Sequence, residues 1–153
     1  MGRGITLAVA SHGIPATLYD LNPETIAGAA TFIEKELEQG VKKKRISKED
    51  KENILRRISF TESISDCRAP LIIEAIIEKI EAKSTLFIEL AEINSQETIF
   101  ATNTSSLSVT EIASQTNFRE RVIGIHFFNR NGKSDTAYQF YMPEQIGKRF
   151  FWI

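Results

Sequence analysis

Apolar residues recur every three or four positions in three segments of the chain, the spacing that places side chains on one face of a helix. One of these segments carries clear signals at both ends. Asn22 followed by Pro23 is typical of a helix start, and Gly40 is expected to end the same helix in a left-handed conformation. Capping boxes that begin at Ser47 and Ser108 predict two further helices, so the predicted helices span residues 4–12, 23–39, 47–57, 81–93 and 108–113.

Short apolar runs lie between the predicted helices and favour strands. These runs span residues 16–20, 58–61, 71–76, 98–102 and 122–126. The run that begins at Leu71 is apolar on both faces apart from Glu74, as expected of a strand covered on two sides. Strands that alternate with helices predict an α/β fold with a doubly wound, parallel sheet. The chain has little periodicity after residue 130, so we assign residues 1–129 to the folded domain and no domain to the tail 130–153.

The composition is that of an ordinary globular protein and argues against several classes of function. Apolar residues make up 42% and charged residues 25% of the chain, and the formal net charge is −1. Such balanced charge gives no field that would recruit nucleic acid or an anionic membrane. With Cys67 as the single cysteine and only two histidines, we expect a reduced, cytoplasmic protein without a disulfide or a metal site. The sequence also predicts neither a signal peptide nor a membrane span.

Polar residues follow four of the predicted strands, at the carboxyl ends where ligands bind in doubly wound sheets. They are Asp20, Glu78, the run from Asn103 to Ser106, and His126 with Asn129. Taken alone, a histidine at a strand end is more often a core residue than a piece of chemistry. Four polar strand ends in one sheet would converge on a single crevice, which favours a binding site.

Asp20 has a more specific interpretation, as the acid that closes the second strand of a dinucleotide-binding fold. Such a carboxylate accepts hydrogen bonds from the adenosine ribose and repels a 2′-phosphate, so it selects NAD over NADP. The glycine motif that should precede it is represented only by its last glycine, Gly2. An aspartate after a strand is also a common turn residue, so both interpretations of Asp20 stand at this point.

Six runs of residues together resemble one protein family. They are M-G-R-G-I, Y-D-L-N-P-E, L-I-I-E-A-I-I-E, K-S-T-L-F, I-F-A-T-N-T-S-S-L-S-V-T-E-I-A and R-V-I-G-I-H-F-F-N. In these runs, between Met1 and Asn129, the chain resembles the NAD-binding domain of 3-hydroxyacyl-CoA dehydrogenases. Bacterial 3-hydroxybutyryl-CoA dehydrogenases of fatty-acid metabolism (beta-oxidation) and butyrate metabolism are the most similar. The resemblance implies a Rossmann-like fold with NAD as the cofactor, and N-T-S-S-L with H-F-F-N is its most specific part.

The resemblance implies which residues bind the cofactor. Met1 and Gly2 would lie under the pyrophosphate of NAD, and Asp20 would lie at its adenosine ribose. Glu78 and Lys83 match two further positions that contact the cofactor in the family.

The resemblance also assigns residues that act on an acyl-CoA substrate. Ser105 matches the serine that hydrogen-bonds the 3-oxygen of the substrate, His126 matches the catalytic base, and Asn129 matches a residue beside the nicotinamide. These residue types suit the oxidation of (S)-3-hydroxyacyl-CoA to 3-oxoacyl-CoA, because a neutral imidazole accepts the hydroxyl proton while NAD takes the hydride. Lys43 matches a lysine that contacts the CoA phosphates, although a solvated basic turn explains K-K-K-R equally well.

The chain departs from the family pattern at both ends. The first strand, which normally lies at the centre of the sheet, is absent, as are the first two glycines of the motif. The helical C-terminal domain, through which full-length relatives form homodimers, is absent too. After Asn129, Tyr138 lies near the position of the glutamate that pairs with the catalytic histidine. We therefore expect a fragment that is truncated at both ends and has impaired catalysis.

Two hypotheses of function follow. In the first, the chain is the NAD-binding domain of an NAD-dependent 3-hydroxyacyl-CoA dehydrogenase, which the presence of Ser105, His126 and Asn129 favours. In the second, it is a non-catalytic binding or structural protein on the same fold, in the manner of the crystallins related to this family. The missing glutamate and C-terminal domain favour this alternative.

Overall fold

The structure, a computed structural model, describes residues 1–128, without the side chain of Phe128, and the backbone of residues 137–141. The described residues fall into two compact units, the first ending at Asp66 and the second beginning at Cys67. Helices alternate with parallel strands in the chain, which confirms the predicted α/β class. No helix in the described ranges is long and apolar enough to cross a membrane.

The first unit combines three helices with a pair of parallel strands. Its elements are α1 (Gly2–Ser11), β1 (Ala16–Tyr19), α2 (Pro23–Lys42), α3 (Lys48–Arg56) and β2 (Ile58–Thr61). Each helix contributes buried apolar side chains to one cluster, which contains Ala10 of α1, Ile33 and Leu37 of α2, and Ile54 of α3. The apolar face predicted for each helix is therefore the face that packs inward.

The two helix starts predicted in this unit are confirmed by their hydrogen bonds. The Asn22 side chain accepts a hydrogen bond of 2.9 Å from the N–H of Glu24. Ser47 and Asp50 form a reciprocal capping box, in which each side chain accepts a 2.9 Å hydrogen bond from the N–H of the other residue. Hydrogen bonds from the hydroxyl and the N–H of Ser47 lower the pKa of Asp50. These caps satisfy N–H groups that have no acceptor within the helix.

The end of α2 differs from the prediction that Gly40 stops the helix. The helix continues to Lys42, and Lys44 takes the left-handed conformation, with a φ of 55°. The N–H groups of Lys44 and of the residue after it donate to helix carbonyls at 3.0 and 2.9 Å, the two bonds of a Schellman motif. Gly40 instead permits close packing, because a Cβ there would lie 3.2 Å from the side chain of Ile46.

The second unit contains a four-stranded sheet. Its main elements are β3 (Leu71–Glu74), α4 (Ile80–Ile93), β4 (Ile99–Thr102), α5 (Val109–Ser114), β5 (Val122–Phe128) and β6 (Ala137–Tyr141). The strand order is β3-β4-β5-β6, with the first three strands parallel and β6 antiparallel to β5. The buried ring of Phe100 in β4 lies 5.3 Å from the ring of Phe87 in α4 and 5.0 Å from that of Phe118. This aromatic cluster fixes α4 against the sheet.

The expectation that all strands lie in one sheet is not met by the described residues. β1 pairs with β2, whereas β3, β4, β5 and β6 form a separate sheet. A strand extends a sheet only when it forms main-chain hydrogen bonds along a neighbour's free edge. No strand among the described residues bonds to the other edge of β1 or to that of β3.

The sheet of the second unit also extends further than the sequence pattern predicts. β5 runs on to Phe128, so His126 lies within the strand and not at its end. β6 pairs antiparallel with this part of β5, with Gln139 opposite His126, although the tail shows no clear periodicity. The two differences have one cause, because an added neighbour supplies the hydrogen-bond partners that prolong β5.

We expect the substitution Lys44→Gly to stabilise the first unit. A left-handed conformation strains a lysine but not a glycine, so the free energy of unfolding should rise by about 0.5–1 kcal/mol in urea titrations. Lys43→Gly is the matched control, because it removes the same charge at an ordinary φ of −83°. This control should lower the free energy of unfolding. Equal effects of the two substitutions would contradict the assigned cap.

Candidate active site

A groove of about 410 Å³ opens in the second unit beside the loop that follows β4. Two of the predicted site residues line it together. Ser105 is exposed in the loop between β4 and α5, and His126 is half-buried in β5. The other lining residues come from this loop, the start of α5 and β5, and are Thr104, Leu107, Ser108, Val109, Thr110, Gly124 and Ile125. The structure thus brings a hydroxyl-bearing loop and an imidazole to one surface.

The loop that carries Ser105 is tied to the strand that carries His126. The Asn103 side chain accepts a hydrogen bond of 2.9 Å from the N–H of Phe127, the residue after the histidine. The N–H of Asn103 donates to the carbonyl oxygen of Glu74 at 2.8 Å, continuing the pairing of β3 with β4. Asn103 therefore fixes the start of the loop against both neighbouring strands.

Glu78, a predicted cofactor contact, holds the next part of the loop. Its Oε1 accepts hydrogen bonds from three successive residues, namely the Thr104 hydroxyl, the Ser105 N–H at 3.2 Å and the Ser106 hydroxyl at 3.4 Å. The Thr104 hydroxyl in turn accepts a hydrogen bond of 3.0 Å from the N–H of Leu107. One carboxylate oxygen thus organises the loop, and Ser105 is bound to it through its backbone.

These contacts keep Glu78 ionised. Burial raises the pKa of Glu78, but the hydrogen bond from Thr104 and the hydrogen bond and charge of Lys83 outweigh it and lower the pKa to about 2. The ordinary value is 4.5, so the stability that this carboxylate contributes is present above that pH and is lost as the pH falls through about 2. Glu78 therefore presents a fixed negative charge to the loop at every pH near neutrality.

Lys83, the second predicted cofactor contact within this unit, is almost completely buried, with 1% of its surface exposed. Its Nζ lies 2.7 Å from Oε1 of Glu74 and 3.0 Å from Oε2 of Glu78, and it donates to the carbonyl oxygen of Ile76 at 3.4 Å. Three acceptors match the three donors of an ammonium group. In this structure the contact of Lys83 with the loop runs through Glu78.

Glu74 is part of this network, and the sequence analysis missed it. It is 3% exposed, and its Oε2 accepts a hydrogen bond of 2.7 Å from the hydroxyl of Thr102 at the end of β4. One signal for it was available. Lys83 and Phe87 are four residues apart, which places a lysine on the buried face of α4. A buried lysine needs a buried counter-ion, and Glu74 is the acid in the apolar strand that precedes it.

Three predicted cofactor residues lie in the first unit and have features that fit NAD. Asp20 directly follows β1 and is half-buried, and its Oδ1 accepts a 2.9 Å hydrogen bond from the N–H of Asn22. Met1 and Gly2 begin α1, whose first turn has no acidic residue and no side-chain cap. N–H groups at such a helix start favour an anion. A Cβ on Gly2 would meet no atom within 4 Å, so there is space beside the backbone.

The remaining predicted residues are distributed differently. Lys43, predicted to contact the CoA phosphates, is exposed at the C-cap of α2 in the first unit. Asn129 lies outside the described residues, and so does the side chain of Tyr138. Within the part of the chain that the structure describes, no group of three or more histidine, cysteine or acidic residues is placed to hold a metal ion.

Relatives of known sequence match this chain over only part of their own length. Residues 1–134 match the family described as 3-hydroxyacyl-CoA dehydrogenase, NAD binding domain. The chain is 41% identical to 3-hydroxyadipyl-CoA dehydrogenase of Escherichia coli K12 over 130 residues. The match includes 84% of this chain and 27% of that protein. The chain is 38% identical to a probable 3-hydroxybutyryl-CoA dehydrogenase of Bacillus subtilis and covers 45% of it. The chain therefore spans less than half the length of these relatives.

Solved structures of similar proteins confirm the Rossmann-like α/β fold. A crystal structure of 3-hydroxybutyryl-CoA dehydrogenase from Escherichia coli K12 matches this chain with a TM-score of 0.81 and 40% sequence identity. The match covers 84% of this chain and 28% of the chain in that structure. The structure of (S)-3-hydroxybutyryl-CoA dehydrogenase from Ralstonia eutropha matches with a TM-score of 0.80 and 32% sequence identity. This match covers 84% of this chain and 46% of the chain in that structure. Together with the match over residues 1–134, these similarities show that the chain belongs to the family of NAD-binding domains of 3-hydroxyacyl-CoA dehydrogenases.

Proposed function

We propose that this chain is the NAD-binding domain of a cytoplasmic, NAD-dependent 3-hydroxyacyl-CoA dehydrogenase. The reaction is the oxidation of (S)-3-hydroxyacyl-CoA to 3-oxoacyl-CoA in fatty-acid or butyrate metabolism. The observation that carries the proposal is the groove that Ser105 and His126 line together. In this proposal residues 1–129 form the NAD-binding domain, and the divergent tail 130–153, from which β6 pairs with β5, is assigned no domain of its own.

The groove supplies the two groups that the alcohol of such a substrate needs. The neutral imidazole of His126 accepts the hydroxyl proton, because histidine changes its charge near neutral pH. The hydroxyl of Ser105 hydrogen-bonds the same oxygen and orients it. NAD, when bound, would supply the acceptor for the hydride. Asn129, which lies outside the described residues, would act beside the nicotinamide in this proposal.

Within each unit, taken by itself, separate observations support NAD as the cofactor. Asp20 supports this assignment, because its half-buried carboxylate can accept hydrogen bonds from ribose hydroxyls. Met1 and Gly2 offer a helix start to the pyrophosphate. Glu78 offers an ionised acceptor beside the loop that carries Ser105, and Lys83 keeps that acceptor in place.

The acyl-CoA substrate carries phosphates of its own. Lys43 would contact them, and its neighbours add to the positive charge at the end of α2, where Lys42, Lys44 and Arg45 are exposed as well. Because cations near a helix carboxyl end are stabilised by the helix dipole, the same residues also suit this position without a ligand.

One prediction of the proposed function concerns the choice of cofactor. The chain should bind NAD at least about ten-fold more tightly than NADP, because the carboxylate of Asp20 repels the 2′-phosphate. Calorimetric titration with both cofactors measures the ratio. Asp20→Asn is the informative variant, since it can keep the hydrogen bond to the N–H of Asn22 while removing the charge. The ratio should fall in this variant, and a wild-type chain that prefers NADP would contradict the role of Asp20.

A second prediction concerns His126 and separates an enzyme from a non-catalytic protein on the same fold. The assay follows NAD-dependent oxidation of 3-hydroxybutyryl-CoA. It uses this chain and a chimera in which the chain replaces the matching residues of the Bacillus subtilis relative. His126→Ala should lower turnover by about 10²- to 10⁴-fold, the usual contribution of a general base, with a smaller effect on NAD binding.

The other histidine provides the control for this experiment. His12 is exposed at the end of α1, where its ring hydrogen-bonds the carbonyl oxygen of Ala8, so His12→Ala should leave turnover unchanged. Unchanged turnover in the His126→Ala variant would show that His126 has a structural role and not a catalytic one. A chimera that binds NAD but does not oxidise the substrate would favour the non-catalytic alternative.

A further inference from the structure

The buried carboxylate of Glu74 has no part in the function proposed above, yet it is connected to the site on two sides. Thr102 donates to its Oε2 and Lys83 donates to its Oε1, both at 2.7 Å. Lys83 lies 3.0 Å from Glu78, which accepts a hydrogen bond from Thr104. Because Thr102 and Thr104 are two positions apart in the chain, these five residues close a ring, which we call the Glu74 ring.

The Glu74 ring encloses the point at which the loop leaves β4. Asn103 lies between the two threonines, and its N–H and side chain are both hydrogen-bonded to neighbouring strands. The loop is therefore held at three successive positions before it reaches Ser105. A single contact would leave rotation about the bonds on either side, whereas a closed ring removes it.

Stability alone gives little reason for this arrangement. Apolar residues of similar volume often replace a buried ion pair without loss of stability. Here two carboxylates and an amine are used, and Glu74 and Lys83 are 3% and 1% exposed. Polar residues, unlike apolar ones, fix the orientation of the groups that they contact, because hydrogen bonds are directional.

We propose that Glu74 is a positioning residue of the candidate active site. It holds the amine of Lys83 against Glu78, and Glu78 then orders the loop that carries Ser105. Glu74 does not line the groove, so it acts on the groove through these neighbours. The inference rests on the proposed function for the importance of Ser105, but the ordering of the loop does not require a cofactor.

The test is amide hydrogen exchange, measured residue by residue by NMR on the chain without cofactor. Glu74→Gln keeps the size of the side chain and removes its charge, and Thr102→Val keeps its shape and removes the hydroxyl that holds Glu74. In both variants the N–H groups of Ser105 and Leu107 should exchange at least about ten-fold faster than in the wild-type chain. The amide proton resonance of Ser105 should also move upfield as its bond to the Glu78 carboxylate weakens.

Thr98→Val is the matched control. Thr98 lies just before β4, is 1% exposed, and donates to the carbonyl oxygen of Ala69 at 3.1 Å, so this variant removes an equally buried hydroxyl outside the ring. It should alter exchange only through global stability and should not move the Ser105 resonance. Unchanged exchange at Ser105 in Thr102→Val would overturn the proposal, as would equal acceleration in Thr98→Val. If the Glu74→Gln variant does not fold, the exchange measured in the Thr102→Val variant tests the proposal by itself.

Titration of the same samples with NAD separates this inference from the proposed function. If the variants exchange faster at Ser105 but the wild-type chain binds no NAD, the Glu74 ring is upheld and the proposed cofactor is wrong. If the wild-type chain binds NAD and exchange in Thr102→Val is unchanged, the cofactor is upheld and the positioning role of Glu74 is wrong.

Discussion

The buried amine of Lys83 is the constraint on which the second unit depends. A lone ammonium group in the interior is too unfavourable to persist, so the fold must surround it with acceptors. It does so with Glu74 from β3, Glu78 from the segment after β3, and the carbonyl oxygen of Ile76. Since the lysine itself belongs to α4, satisfying one charge fixes a helix, a strand and the connection between them in a single arrangement.

The charge of Lys83 also fixes the position of a carboxylate at the surface of this unit. Lys83 holds Glu78 at the boundary between interior and solvent, where 40% of the glutamate side chain is exposed. Its pKa of about 2 keeps this carboxylate charged, and its hydrogen bonds order the loop along one wall of the groove. Asn103 adds the link to the strand of His126. An interior ion pair thus orders a polar loop that lines the same groove as an imidazole, and in the proposed function this loop would orient the alcohol oxygen of the substrate.

Much of this could be predicted from the sequence, because local signals have local causes. The caps at Asn22 and Ser47 depend on residues within three positions, and both are present as predicted. Gly40 was misinterpreted because a glycine can serve either a left-handed turn or close packing. The residue that decides between them, Ile46, lies in the connection after α2 and meets Gly40 only once the chain has folded back. The role of Glu74 depends on Thr102, far away in sequence, so periodicity could show only that an acid interrupts an apolar strand.

The central claim is that a loop fixed by the Lys83 and Glu78 pair forms part of an NAD site. The measurement that tests it most directly is titration of the ¹⁵N-labelled chain with NAD, observed through the backbone amides of the second unit. The account predicts saturable shifts at Ser105 and Ser106, whose contacts with Glu78 would border the proposed cofactor. It predicts little change at Ala69, before β3, or at Asn94, the C-cap of α4 that accepts a hydrogen bond from the Ala69 N–H. Saturable binding of NAD that leaves the Ser105 and Ser106 amides unchanged would contradict it.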